Sequence, residues 1–250
     1  MKVSVIIPCY NFEEYIEQAI LSAVSQKTNF EFEILVRDDF STDRSGLNID
    51  RVSIFNSNVK VFKPEENWGG QKNVKFLIEQ CQGEYIAYLD GDDYWTDVNK
   101  LQKQIDFLDN NPDYILTFTG YCSKNKDGKY TPGPPHQWLC LNNFENDEVK
   151  TENLLISNYV TFGRVFRNVN DLIKDWMLDI HCLDWVIGYE LSKKGRIKYL
   201  DFPSGVYRIH DGGIFSSIDN GIKNKINIQA QEAIGNDYEL HIIKKNERNE

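Results

Sequence analysis

Gly83-Glu84-Tyr85-Ile86-Ala87-Tyr88-Leu89-Asp90-Gly91-Asp92-Asp93 is the stretch on which the fold turns. Its first part is a short apolar and aromatic run with a glycine behind it and acids ahead, the pattern of a buried strand that delivers its C-terminal end to a polar loop. Three carboxylates follow within four residues. Two such charges about 5 Å apart repel by roughly 3 kcal/mol at an effective dielectric of 20, so a cation is expected between them. A hard divalent ion, Mn²⁺ or Mg²⁺, held by one or two carboxylates and by substrate phosphates, meets that need. The competing reading is a solvated acidic turn, and the buried run directly upstream argues against it.

The same pattern repeats outward from this stretch. Val3-Ser-Val-Ile-Ile7 is a β-branched run stopped by Pro8, and Asn11 with Glu14 reads as the cap of a helix whose stripe is Ile16, Ala19, Ile20, Ala23 and Val24. Residues 34–36 form a second strand ending in Arg37-Asp38-Asp39. A third, 59–62, ends in Pro64 and Glu65-Glu-Asn-Trp-Gly-Gly70. A helix is expected over about 71–81 with Val74, Leu77, Ile78 and Cys81 inward. Beyond the acids, Leu101, Ile105 and Leu108 mark another helix, and 114–119 is the next strand. Alternation of this kind predicts an α/β fold with a mostly parallel sheet flanked by helices and with ligands beyond the carboxyl ends of its strands.

From 120 to about 150 the text has no sustained period and includes Pro132-Gly133-Pro134-Pro135, which reads as a loop or flap. It divides residues 1–119, a βα half, from 120–218, a smaller second half of the same domain, with a polar helix or tail over 219–250. Helices are expected near 152–157, 168–176 and 183–194, and strands near 161–166, 196–200 and 205–209.

Bulk properties exclude classes. A chain of 250 residues, 41% hydrophobic and 26% charged, is ordinary for a globular protein, and a formal net charge of −10 disfavours a nucleic-acid partner. Five cysteines at 9, 81, 122, 140 and 182, with no Cys-x-x-Cys spacing, fit a reducing compartment and indicate neither a zinc site nor a disulfide framework. Only Lys2 precedes the first strand after the initiator, which leaves no room for a secretory signal, and no apolar run approaches the roughly 20 residues of a membrane span. The expectation is a cytoplasmic protein whose membrane contact is at most peripheral, at the inner face.

Three quoted segments carry a resemblance: Val3-Ser-Val-Ile-Ile-Pro-Cys-Tyr-Asn11, Asp38-Asp39-Phe-Ser-Thr-Asp43 and Gly83 to Asp93. In this order they resemble family 2 of the glycosyltransferases, and Asn67-Trp-Gly-Gly-Gln-Lys-Asn73 and Lys100-Leu-Gln-Lys-Gln104 read like that family's connecting segments. The resemblance implies the GT-A fold and transfer with inversion at the anomeric carbon. Its donor would be a nucleotide diphosphate sugar, with UDP-hexose expected. Its acceptor would be a glycan or lipid-linked saccharide of bacterial surface polysaccharide synthesis. By the same resemblance Pro8, Tyr10 and Asp39 hold the base with Asp38 close by, Asp90 meets the ribose, Asp92 takes the metal, and Asp93 holds a loop.

An inverting transfer needs a base for the acceptor hydroxyl. His181-Cys-Leu-Asp184 matches the family's acidic segment before a helix, with Asp184 as base and Leu183 where the family often has Glu. A helix N-cap is the competing role for Asp184. Tyr207-Arg208-Ile209-His210 resembles the late motif, with His210 toward the metal and Arg208 toward phosphate. Trp68, Trp95, Trp138 and Trp185 are candidates for stacking on a sugar, and Trp185, beside the base, is assigned to the acceptor. Two rivals stand beside this reading: a degenerate domain that binds sugar nucleotide without turnover, and a nucleotidyltransferase. The second would carry a Gly-rich, basic phosphate loop after the first strand, where this chain has Pro8-Cys-Tyr-Asn11.

Overall fold

The computed structural model describes residues 1–133, 144–213, 215 and 217–247. Strands β1 (Val3–Cys9), β2 (Phe32–Asp38), β3 (Val59–Phe62) and β4 (Tyr85–Tyr88) alternate with helices α1 (Ile16–Val24), α2 (Ser45–Ile54) and α3 (Gly70–Gln80). There follow β5 (Tyr94–Trp95), α4 (Lys100–Asn110), β6 (Tyr114–Lys124), β7 (Tyr130–Pro132), β8 (Glu148–Val149), α5 (Thr151–Leu154), β9 (Val165–Arg167), α6 (Leu183–Ser192), β10 (Arg196–Arg208) and α7 (Asn220–Glu247). One sheet runs β3-β2-β1-β4-β9-β6-β10-β5, with β7 on β6 and β8 on β10. The pairs β1–β2, β2–β3, β1–β4 and β6–β10 are parallel, and β9 enters antiparallel to both β4 and β6.

β1 explains why its sequence is a continuous apolar run and not an alternation. Val3, Val5 and Ile7 pack with α1 and α4 on one face while Ile6 packs with α3 on the other, so both faces are covered. Helix α7 is polar for most of its length and docks through Ala230 and Ile234, both fully buried, while Asp237 accepts from the Tyr189 hydroxyl at 2.9 Å and pairs with Lys193 at 2.8 Å. Among the described residues no helix is long and apolar enough to cross a membrane.

Several boundaries differ from the sequence expectation. Asn11 is no helix cap: it has φ 57°, and its side-chain oxygen accepts from the Thr42 amide at 2.8 Å, tying two loops together. The expected helix over 168–176 is replaced by turns and a 3₁₀ segment at Asp175–Asp179, because β9 inserts between two strands and the chain must leave the sheet edge abruptly. The strands expected at 196–200 and 205–209 are one strand, β10, irregular around Pro203, where a bulge tolerates the missing amide. β6 runs on past Gly120 to Lys124, so the expected flap begins later, and its Pro134-Pro135 and Trp138 lie outside the described residues, as does Cys140. The other four cysteines are free thiols.

Candidate active site

The loops after β1 and β2 are laced together at the carboxyl edge of the sheet. The amide of Phe12 donates to Ser45 Oγ at 2.7 Å and that of Glu13 to Asp43 Oδ2 at 3.0 Å, while Asp43 Oδ1 accepts from the Ser45 amide at 2.8 Å. Asp43 thus serves the loop and the start of α2. Asp38 is 6% exposed and accepts from both the amide and the hydroxyl of Ser41.

Asp39 is 1% exposed and its carboxylate is fully engaged. It pairs with Arg37 Nη1 at 3.1 Å and accepts from the amides of Trp68 at 3.1 Å and Gly69 at 2.8 Å. Arg37, equally buried, bonds Asn73 Oδ1 at 2.9 Å and lies over the rings of Trp68 and Phe76. The expectation that Asp39 presents a free carboxylate to a base is therefore corrected: it staples β2 to the 64–69 loop because a buried guanidinium needs it. Tyr10, 44% exposed, Phe40, 52% exposed, and Trp68, 41% exposed, are open rings on these loops, and Pro8 is half-buried.

The acidic turn sits against β1. A Cβ on Gly91 would lie 2.6 Å from the Pro8 carbonyl oxygen, so only glycine lets the turn approach so closely. Asp93 is 1% exposed and accepts from the Arg208 amide at 2.8 Å, fixing the end of β10 to the turn. Burial first, then Asp92 and Asp90, push its carboxyl well up. Arg208 donates to the Asp92 carbonyl and to Gln18 and packs over the Tyr94 ring at 4.4 Å. With 8% exposure and these partners it braces the turn, which corrects its assignment to phosphate.

Asp92 and His210 meet at the cleft. Asp92 Oδ2 lies 3.1 Å from His210 Nε2, with 17% and 11% of the two side chains exposed, and the imidazole rests on the Tyr15 ring at a centroid distance of 4.4 Å. Beside them opens a groove of about 530 Å³ lined by Asn11, Tyr15, Asp43, Lys126, His210 and Gly212, among others. Among the described residues no group of three or more His, Cys, Asp or Glu side chains is placed to hold a metal. A carboxylate and an imidazole within one coordination distance of a shared point nonetheless suit a divalent ion whose remaining ligands are phosphate and water.

On the other side of the turn, Asp90 keeps 42% of its side chain exposed and faces Arg164 Nη2 at 3.5 Å. Desolvation, opposed by Arg164 and reinforced by Asp92 and Asp184, pushes its carboxyl up to about 7. Arg164 Nη1 lies 3.3 Å from Asp184 Oδ2, which also accepts from Asn158 Nδ2 at 2.7 Å. Asp184 is in the first turn of α6 but is not its N-cap, a position held by Cys182. Trp185 is corrected to a core residue: it is 2% exposed and its indole N–H donates to the Leu154 carbonyl at 2.7 Å, leaving no ring face for a sugar. Trp95 is likewise buried, beneath the Lys100 ammonium. Arg164, Arg37 and Asn158 are the site residues sequence reasoning missed. The signal for the first was a charge inside an expected buried strand.

Comparison with known proteins agrees with the fold. The sequence model of Glycosyl transferase family 2 matches residues 4–171. Rv1520, an uncharacterized protein of Mycobacterium tuberculosis, is 30% identical over 218 residues, 86% of this chain and 60% of its own length. A putative teichuronic acid biosynthesis glycosyltransferase of Bacillus subtilis, TuaG, is 35% identical over 126 residues, 50% of this chain and 49% of its own. The structure of Staphylococcus aureus TarS 1-349 in complex with UDP-GlcNAc superposes with a TM-score of 0.66 at 25% identity, covering 90% of this chain and 64% of that one. The fold and the family match define a glycosyltransferase scaffold of GT-A type. The chain belongs to glycosyl transferase family 2. It spans 60% of the length of Rv1520 and about half that of TuaG.

Proposed function

We propose that this chain transfers a sugar, with inversion, from a nucleotide diphosphate sugar to a hydroxyl of a glycan or lipid-linked saccharide in bacterial surface polysaccharide synthesis. UDP-hexose is the proposed donor. The observation that carries the reading is that one acidic turn presents Asp92 to His210 on one side and Asp90 to the Arg164–Asp184 pair on the other. Tyr10, just after β1, and Trp68, whose amide Asp39 holds, carry exposed rings that can flank a base.

Asp92 and His210 would hold Mn²⁺ or Mg²⁺, which when bound neutralises charge on the departing diphosphate. Asp90, open to the cleft, accepts from donor hydroxyls. Asp184 removes the acceptor proton, its second oxygen left free by the bond from Asn158 to Oδ2. Arg208 and Asp93 keep the acidic turn rigid, so the ligand atoms are positioned before the donor arrives.

Thermal melting in a panel of UDP, UDP-GlcNAc, UDP-glucose and GDP-mannose, with and without Mn²⁺, tests this. A ligand at a hundred times its Kd stabilises by about 2.7 kcal/mol. The expected result is stabilisation by a uridine nucleotide that depends on Mn²⁺ and loses that dependence in Asp92→Asn. No shift with any nucleotide diphosphate would contradict the reading, and an unchanged Mn²⁺ response in Asp92→Asn would contradict the metal role.

A further inference from the structure

Arg164 is costly to build. Its side chain is 5% exposed, yet among the described residues Nε has no hydrogen-bond partner and Nη1 has only the ion pair to Asp184, and an unmet buried donor is destabilising. The backbone is shaped to put it there. Gly163 has φ 65° and a Cβ on it would lie 2.0 Å from Thr119 Oγ1, so the turn before Arg164 demands glycine. The Arg164 carbonyl accepts from the Tyr88 amide at 3.0 Å, and the guanidinium lies 4.3 Å over the Tyr88 ring. An aromatic face below and two carboxylates, Asp90 and Asp184, at 3.5 and 3.3 Å hold the cation in one place.

We propose that Arg164 is a positioning residue for sugar transfer: its buried cation, held over Tyr88, faces Asp184 and Asp90 together and fixes the base across the cleft for the acceptor hydroxyl. This rests on Asp184 being the base. Nη1 and Nη2 are taken up by Asp184 and Asp90 and the side chain is 5% exposed, so Arg164 acts through the carboxylates and not by touching sugar. Among the described residues, Arg164 is the cation paired with Asp184. Burial pushes Cys182 up to about 12 and Tyr121 up to about 12, and holds Tyr88 well above its usual range, so all three are neutral there, while Asp90 repels. Without Arg164, two carboxylates would share the cleft wall with no counter-charge, which disfavours ionisation of both.

The test uses the free protein and needs no substrate. The side-chain carboxyl ¹³C resonance of Asp184, assigned by its loss in Asp184→Asn, is titrated in wild type, Arg164→Met and Arg164→Lys, with thermal melting as the fold control. An Arg⁺ neighbour moves an aspartate by about 1–3 units. Arg164→Met is therefore expected to raise the midpoint by about that much, and Arg164→Lys, which keeps the charge, to stay near wild type. Should Arg164→Met fail to fold, Arg164→Gln, which keeps polar bulk without charge, takes its place with the same expectation. An unmoved midpoint in a folded neutral variant overturns the proposal. So does a Lys variant displaced as far as the neutral one. Failure of the base reading is seen separately, as retained transfer in Asp184→Asn.

Discussion

At the scale of single residues, two carboxylates adjacent in sequence do different work because their surroundings differ. Asp38 is turned into its own loop by Ser41, while Asp39 neutralises Arg37 and ties down the Trp68–Gly69 amides. Removing one partner of a buried ion pair strands the other, at about 3–5 kcal/mol. Asp39→Ala is therefore expected to lose about that much stability in a urea titration, with nucleotide affinity falling only as the loop loosens. A full-stability variant that no longer binds nucleotide would return Asp39 to direct contact with the base. The acids after β4 and His210 were legible in the sequence because their spacing belongs to a motif. Arg164 and Arg37 were not, because a charge in or beside an apolar run carries no sign of which acid it will meet. Trp185 was misread for a related reason: proximity to Asp184 along a helix says nothing of which face it shares, and residues at i and i+1 point about 100° apart.

At the scale of elements, the end of β10 holds the acidic turn. Arg208 gives its amide to Asp93 and its guanidinium to the Asp92 carbonyl and Gln18. Arg208→Met keeps the amide bond to Asp93 but leaves the Asp92 carbonyl and Gln18 without their charged donor, and a loss of about 2–3 kcal/mol is expected in chemical denaturation. Unchanged stability with a selective loss of diphosphate affinity would instead support a phosphate contact. At the opposite end of the sheet, Glu33 on β2 accepts from Ser4 Oγ at 2.7 Å and the Gln82 amide at 3.1 Å and pairs with Lys60 at 2.7 Å, joining β1, β2, β3 and the turn before β4. Burial opposes its ionisation, but Lys60, Ser4 and Gln82 outweigh it and hold its carboxyl below the usual value. Its stabilisation is thus fully present above the unfolded-state range near about 4.3 and is lost as pH falls through the lower folded value. Glu33→Gln is expected to flatten the acid side of the stability profile, as followed by melting temperature between pH 6 and pH 3. A wild-type slope in that variant would show that the staple contributes nothing. The βα alternation that builds this end was readable, since each apolar run had a matching helical stripe. β5, β7 and β8 were not, because strands of two or three residues are made by their partners and leave no period of their own.

At the scale of the whole molecule, one sheet carries both sides of the chemistry. Its parallel part, β3-β2-β1-β4, ends in the loops that carry Tyr10, Trp68 and Asp92, and the later strands β9, β6 and β10 return beside β4 to bring Arg164 and His210 to the same edge. Helix α6 then lays Asp184 against Arg164. On the proposed function this convergence performs transfer, with Asp184 as the acceptor's base. It is tested most directly by Asp184→Asn at saturating donor, with the donor and metal identified by the melting screen and donor affinity measured alongside. Asn can still accept from Asn158, so the helix start and donor binding are expected to persist, while the transfer rate falls by about a hundred- to ten-thousand-fold. A loss of less than about threefold, with donor affinity intact, would contradict it.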